Sequence, residues 1–438
     1  MKKKNKKFLV VAIAAALSAA TAVPALALEN QFNGAFKFFY DLSNFSATGD
    51  IKDDASTQSY FVERFRLGYT AKADDHVKLV SKFELDYKYL GNSSYTTGGG
   101  TGGAMGADSV NFETKNLYLD INYPVMSAKL GMMPYGDSFK GVLFDSDMAG
   151  VLLSHDYANA GVTAGFFRLA DSNDDKTYGK KTYDLFSLEG KYSPKKDLNF
   201  GASYYFFRDK HTHEFAEGST DMLALYPNAK VHNLGLNAAG VVGPVALDGF
   251  VLKQFGTLEA DRDAKGYAFN LGAKMPVAGG TLRSEFLYVS GGNNAFYLPS
   301  IDNGGTEGGQ YYNSEMVVLG RDKIATSIDN AIIYDVNNLE EGVIMGTVGY
   351  DYAFSDKLSA SANAGFAAVA KDQGARAADR VGSSDSNYLG TEINAETYYK
   401  LTANVTLGAR AGYVFLGDYF ASEMDNPYDV KLIATYNF

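Results

Sequence analysis

Apolar and polar residues alternate along this chain over stretches of about ten residues, and such stretches recur through most of its length. In 358–366, Leu358, Ala360, Ala362, Ala364 and Phe366 alternate with Ser359, Ser361, Asn363 and Gly365. In 77–89, Leu79, Phe83, Leu85, Tyr87 and Tyr89 oppose Lys82, Glu84, Asp86 and Lys88. In 281–288, Leu282, Phe286 and Tyr288 oppose Arg283 and Glu285. Successive strand side chains point to opposite faces, so each stretch reads as a strand with one apolar and one polar face. No apolar run of membrane-helix length follows residue 27.

The connections alternate too. Tight turns such as Pro194-Lys195-Lys196-Asp197, Gly243-Pro244, Ala278-Gly279-Gly280 and Ser355-Asp356-Lys357 carry Gly, Pro, Asn and Asp. Between them lie long loops, at 91–109, 134–148, 210–228, 292–342 and 371–386. This pattern predicts an all-β fold, a transmembrane up-and-down antiparallel barrel of about 18 strands, with 16 as the alternative. The least distinct strands are 127–133 and 149–157. An even count places both ends of the chain on the short-turn, periplasmic side.

Both ends of the sequence agree with export to an outer membrane. Lys2, Lys3, Lys4, Lys6 and Lys7, an apolar run from Phe8 to Ala20, and Ala25-Leu26-Ala27 read as a signal peptide over 1–27, leaving the barrel to 28–438. Removing those five lysines leaves 35 basic against 51 acidic residues, which argues against a nucleic-acid partner. The chain has no Cys, so disulfide scaffolds and Cys-ligated metal centres are excluded. At the C-terminus Val430, Leu432, Ala434, Tyr436 and Phe438 alternate on one face, an arrangement like the last-strand signal of outer-membrane proteins. With no Trp, the interfacial girdles fall to Tyr and Phe, with Tyr87, Tyr89, Tyr399, Tyr413 and Tyr436 as candidates. Outer-membrane lipid and lipopolysaccharide are the expected surroundings, and a monomer and a homotrimer both remain open.

Placing the apolar faces against lipid leaves a predicted lumen set. Its basic members are Arg64, Arg66, Lys82, Lys88, Lys129, Lys191, Lys274, Arg283, Arg410 and Lys431. Its acidic members are Glu84, Asp86, Asp120, Glu189, Asp248, Glu285, Asp351, Glu392 and Glu396. Charges on the inner wall imply a water-filled channel rather than a packed core, and their balance implies weak charge selectivity. Same-face neighbours such as Asp86 with Lys88 and Arg283 with Glu285 are expected to pair. The segment 134–148, with Tyr135, Asp137, Lys140, Phe144, Asp145 and Asp147, is the constriction-loop candidate, an ordinary external loop being the other reading. The 292–342 segment is too long for a simple loop, and its apolar runs in 315–333 suggest a short helix or extra hairpin acting as a lid, a plug or a subunit contact.

No metal site, cofactor or catalytic centre is expected. His211 and His213 near Glu214 have ligand-like spacing but lie in an acidic loop. Asp145-Ser146-Asp147 and Asp171, Asp174 and Asp175 lack the calcium-loop pattern. Ser154 and His155 are adjacent on one strand, so they point to opposite faces and cannot form a nucleophile–base pair.

Two patches resemble the alginate-export type of outer-membrane porin. They are KNLYLDINYPVMSAKLGMMPYGDS at 115–138 and YLGTEINAETYYKLTANVTLGARAGYVFLGDYF at 388–420. The second carries Leu389-Gly390-Thr391-Glu392 and Gly417-Asp418, and the resemblance implies an 18-stranded monomeric barrel. Where that family carries Gly-Arg-Gln, this chain has Gly131-Met132-Met133, and it holds only 10 Arg against 30 Lys. A polyanion channel needs guanidinium forks to hold carboxylates. The expectation is therefore a passive channel for ions and small hydrophilic solutes. A substrate-specific or polysaccharide export channel, or an adhesive or structural barrel with a plugged lumen, stand as the alternatives.

Overall fold

In a computed structural model the chain is described over residues 29–92, 102–106, 112–171, 175–210, 228–259, 262–299, 312–322, 330–372 and 386–438. The expected signal segment, the two histidines at 211 and 213, and most of the loops 91–109, 210–228 and 371–386 lie outside those residues.

The strands are β1 (Glu29–Ser43), β2 (Gln58–Lys72), β3 (Val77–Tyr89), β4 (Glu113–Tyr123), β5 (Met126–Gly136), β6 (Asp145–Asp156), β7 (Ala160–Ala170), β8 (Tyr183–Lys195), β9 (Leu198–Asp209), β10 (Lys230–Val242), β11 (Val245–Glu259), β12 (Arg262–Ala264), β13 (Tyr267–Val277), β14 (Gly280–Val289), β15 (Val343–Ala353), β16 (Leu358–Ala368), β17 (Tyr388–Lys400), β18 (Val405–Leu416) and β19 (Tyr428–Asn437). Each is antiparallel to its neighbours, and β1 pairs with β19 from Ala35–Asn437 to Ser43–Asp429, which closes the sheet on itself. The three-residue β12 and the longer β13 both pair with β11, so they form one stave and the closed barrel has 18 strands. Closure leaves no open sheet edge along the wall.

The weakly patterned pair around 127–157 is longer than its alternation suggested. Its strands β5 and β6 run to Gly136 and from Asp145, so Tyr135, Asp145 and Asp147 stand on strands, and the connection shrinks to 137–144.

A second departure lies on β3. The β2–β3 register slips between Phe65–Leu85 and Glu63–Lys88, which puts an extra residue on β3. A bulge of that kind swaps the faces beyond it. Tyr89, expected against lipid, therefore pairs with inward-facing Val62 and packs edge-on against Tyr60 at 4.9 Å. The side chains of Asp86, Tyr87 and Lys88 lie outside the described residues.

The largest correction concerns the interior. It holds an extensive apolar core, because both faces of many strands turn apolar toward the loop end. Along β8 the inward positions run from Tyr183 and Leu185 at the loop end to Ser187, Glu189 and Lys191 at the turn end. On β14, Val289 and Leu287 give way to Glu285 and Arg283. On β15, Val343 and Met345 give way to Asp351. Period-two counting identifies the polar half of the wall and misses this gradient. The apolar half is covered by segments of chain that fold in, chiefly 137–144 and the described parts of 312–336, with Phe45, Phe296, Tyr297, Tyr419 and Phe420 from other connections.

Candidate functional site

The first in-folded segment is organised by one carboxylate. Asp137 Oδ1 accepts the backbone N–H groups of Phe139 (2.6 Å) and Gly141 (3.0 Å), and Oδ2 accepts those of Leu143 (2.6 Å) and Phe144 (2.8 Å). Short polar side chains that bond nearby backbone donors are turn formers, and here four donors share one group. Burial nonetheless outweighs these bonds and pushes the Asp137 carboxyl up to about 6. The turn drives Phe139 against Phe250 (5.4 Å between ring centres) and edge-on to Tyr205. Phe144 meets Tyr135, Tyr205 and Phe207. Val142 and Leu143 are fully buried beside them.

Lys140 leaves this turn in a left-handed backbone conformation (φ 62°) and crosses to the opposite wall. Its Nζ lies 2.5 Å from Asp248 on β11 and 2.8 Å from Glu285 on β14. Around this bridge lies a polar cavity of about 520 Å³ lined by Gly136, Asp137, Lys140, Asp145, Asp248, Lys274, Glu285 and Asn313. Four carboxylates and two lysines line it, and Lys140 is neutralised by its two partners. Six residues named from the sequence, Asp137, Lys140, Asp145, Asp248, Lys274 and Glu285, thus come together here. The expected Arg283–Glu285 pair does not form. Glu285 takes Lys140, while Arg283 forks onto Asp351 at 2.6 and 2.7 Å.

The second in-folded segment is fastened by charge. Glu392 on β17 accepts the backbone N–H groups of Val317 (2.7 Å), Val318 (3.0 Å) and Leu319 (2.7 Å), and also the Asn394 amide. Arg410 on β18 forks onto Asp322 at 2.6 and 2.9 Å. Arg283 reaches Glu315 at 3.4 Å. The described parts of 315–333 are irregular and not helical, joined by N–H bonds from Ile332 to the Val318 carbonyl and from Ile333 to the Leu319 carbonyl.

Six lumen candidates, Arg64, Glu84, Glu392, Glu396, Arg410 and Lys431, are walled in and do not line a water path. Glu392 is 0 % exposed, Arg410 2 % and Lys431 1 %. Lys431 lies against Asp41 and, at 3.2 Å, Asp429. Glu84 is buried under Arg64, Arg66 and Lys115, and Lys115 also holds Asp147 at 2.8 Å. Glu189 accepts the hydroxyls of Tyr135 and Tyr205, and Glu396 accepts that of Tyr398. Nearer the turn end, Asp120 meets Lys78, Lys129 lies over the Tyr118 ring, Lys191 pairs with Asp156 while well exposed, and Lys82 is half-buried.

Several members of these networks were not identified from the sequence. Asp41 and Lys37 share the inward face of β1, but the run Phe38-Phe39-Tyr40 hides the alternation. Asp429 was legible, since it stands two residues before Lys431 on the same face. Asp322 and Glu315 carry no such signal because they sit on irregular chain.

The Leu389-Gly390-Thr391-Glu392 patch has a structural role here. Gly390 adopts φ +145° at a slip in the β16–β17 register, where a Cβ would meet the Phe415 carbonyl at 2.4 Å. Glu392 faces inward by the same alternation as Asn394 and Glu396, and the slip beyond Gly390 brings Leu389 inward as well.

No protein-family model and no curated protein sequence matches the chain. Solved structures do. OccAB4 of Acinetobacter baumannii aligns with a TM-score of 0.56 and 13% identity, over 94% of this chain and 98% of that one. OccK5 (OpdH) of Pseudomonas aeruginosa gives 0.53 and 14%, over 94% and 98%. OpdK of the same organism, described as an outer membrane protein, gives 0.54 and 11%, over 94% and 98%. Over nearly its whole length the chain shares the 18-stranded barrel fold of these proteins.

Proposed function

We propose that this chain is an outer-membrane channel through which ions and small hydrophilic solutes diffuse passively. The observation that carries the reading is the polar cavity held open between Lys140 and the wall residues Asp248, Lys274 and Glu285, inside a closed barrel. The in-folded turn at 137–144 acts as the constriction. Its apolar side chains seal it to the wall and its one cation divides the opening. Selection is by size, with a weak preference for cations set by the carboxylate excess around the cavity. No covalent step is involved. Likeness of fold to the Occ/Opd porins supports this reading, and among the described residues no arginine lines the cavity to hold a polyanion. The alginate-export resemblance therefore stays at the level of barrel architecture. Monomer and homotrimer are both compatible with the fold.

A plugged, non-conducting barrel is the second reading, favoured by the tight fastening of 312–322 and 330–336. Planar-bilayer recording separates the two. The channel reading expects stepwise ohmic openings and a reversal potential of weak cation sign in a KCl gradient. A silent bilayer with correctly folded protein would overturn it.

A further inference from the structure

The outward faces of β13 to β19 present uncharged side chains, as a wall against hydrocarbon should. The neighbouring quarter of the barrel differs. Ladder pairs run Arg168–Asp184, Asp184–Arg208 and Arg208–Lys230, which sets these four residues level across β7, β8, β9 and β10. They share the outward face, because the same pairing places Phe166, Phe186, Phe206 and His232 two residues below them, with Phe255 next on β11. Those five rings form a continuous row, with centres 5.0, 6.0, 4.4 and 5.1 Å apart, and His232 lies nearly parallel between Phe206 and Phe255.

Above the row stands an excess of positive charge. Asp184 is fully buried, held by Arg168 Nε at 2.9 Å, Arg208 Nη2 at 2.9 Å and the Thr182 hydroxyl. One shielded carboxylate thus orients two guanidinium groups, and with Asp171 on Arg168 the two arginines are balanced, so the excess charge rests on the lysines. Asp171 takes a second bond from Arg168. Lys230 is exposed at the end of the row, and Lys181 and Lys210 are exposed one step further out, where the Lys210 N–H bonds the Thr182 carbonyl. No carboxylate among the described residues pairs with Lys181, Lys210 or Lys230. At the usual strand spacing the four-strand row spans roughly 15 Å.

We propose that this face is a binding site for the phosphorylated, acylated glycolipid of the outer leaflet, lipopolysaccharide. The aromatic row marks the membrane interface at the loop end of the barrel, where rings sit at headgroup level. Cations placed directly above it meet phosphate groups, and a span of four strands admits two phosphates of one disaccharide headgroup. The acyl chains then lie along the apolar wall below the rings. The proposal rests on the outer-membrane location in the function proposed above.

The test uses the refolded full barrel in detergent. Native mass spectrometry would compare binding of diphosphorylated lipid A, the same lipid without phosphates, and phosphatidylglycerol, to the wild type and to the K181Q/K210Q/K230Q variant. Each sample would also be recorded in planar bilayers. The expected result is a preference of the wild type for diphosphorylated lipid A that falls at least about tenfold in the variant, since a basic residue near a charged surface is worth on the order of 1 kcal/mol. Unchanged conductance would show the variant is folded. Equal binding by wild type and variant, or binding indifferent to the phosphates, would overturn the site while conductance left the channel reading standing. Phosphate-dependent binding by a barrel that never opens would keep the site and remove the channel.

Discussion

Both main segments folded into this barrel bury apolar side chains, but their principal fastenings to the wall differ. The turn at 137–144 is bound by rings, with Phe139 and Phe144 wedged among Tyr135, Tyr205, Phe207 and Phe250. The 312–322 segment is bound by charge, with Glu392 and Arg410 on the wall gripping its backbone and its Asp322. Apolar packing is non-directional and tolerates small shifts, whereas a carboxylate collecting three N–H donors fixes one register. The first suits a turn that must hold a polar edge near an aqueous path. The second suits a segment that fills space.

The largest effect should come from removing the charged grip. E392A leaves the Val317, Val318 and Leu319 donors buried without an acceptor, at a cost of about 5 kcal/mol for the three. Heat-resistant migration on gels should fall, and single-channel conductance should rise as the segment detaches. An unchanged conductance would mean the segment does not block the path. Next, F139A should cost about 3 kcal/mol by leaving a cavity between Tyr205 and Phe250. Noisier and wider openings are expected, without loss of the 312–322 contacts. Cleavage by protease added from the loop side would tell the two releases apart, since each variant exposes a different segment.

A smaller effect is expected at Lys140. K140Q removes the cation between Asp248 and Glu285 beside the cavity, so the reversal potential in a KCl gradient should move toward stronger cation preference, with little change in stability. No movement would place the conducting path elsewhere. The smallest is the response to pH. Burial raises the Asp137 carboxyl to about 6 in the fold, above its ordinary 3.8. Its ionised form therefore costs folding stability above pH 6, and that cost is recovered as pH falls from about 6 toward 4. Acid does not weaken the barrel through this group. Protonation does weaken the acceptor for the four N–H donors, so open-state noise should change with a midpoint near 6 in the wild type and not in D137N. A midpoint shared by both would assign the titration to another carboxylate.

The polar residues at the turn end of the wall were readable from alternation, because Glu285 and Arg283, or Ser361 and Asn363, stand every second residue against an apolar outer face. The loop end was not. There Leu287 and Val289 repeat the apolar character of Phe286 and Tyr288, and a strand apolar on both faces gives no clue to which side is inside. The Lys140 bridge illustrates the same limit. Lys140, Asp248 and Glu285 were each named, yet nothing in the sequence joins residues that far apart.

Strand period and turn chemistry are local properties, written in ten-residue stretches, and by themselves they pointed to a closed antiparallel barrel of about 18 strands, while the ladder pairing fixed the count at 18. What fills the barrel was decided by tertiary structure. A segment enters the lumen only if the wall offers it an apolar bed or a buried partner, and both are assembled from strands far apart in the chain. Glu392 becomes a cradle, Arg410 an anchor and the Arg168–Lys230 row a charged outer face only once closure has set those strands side by side.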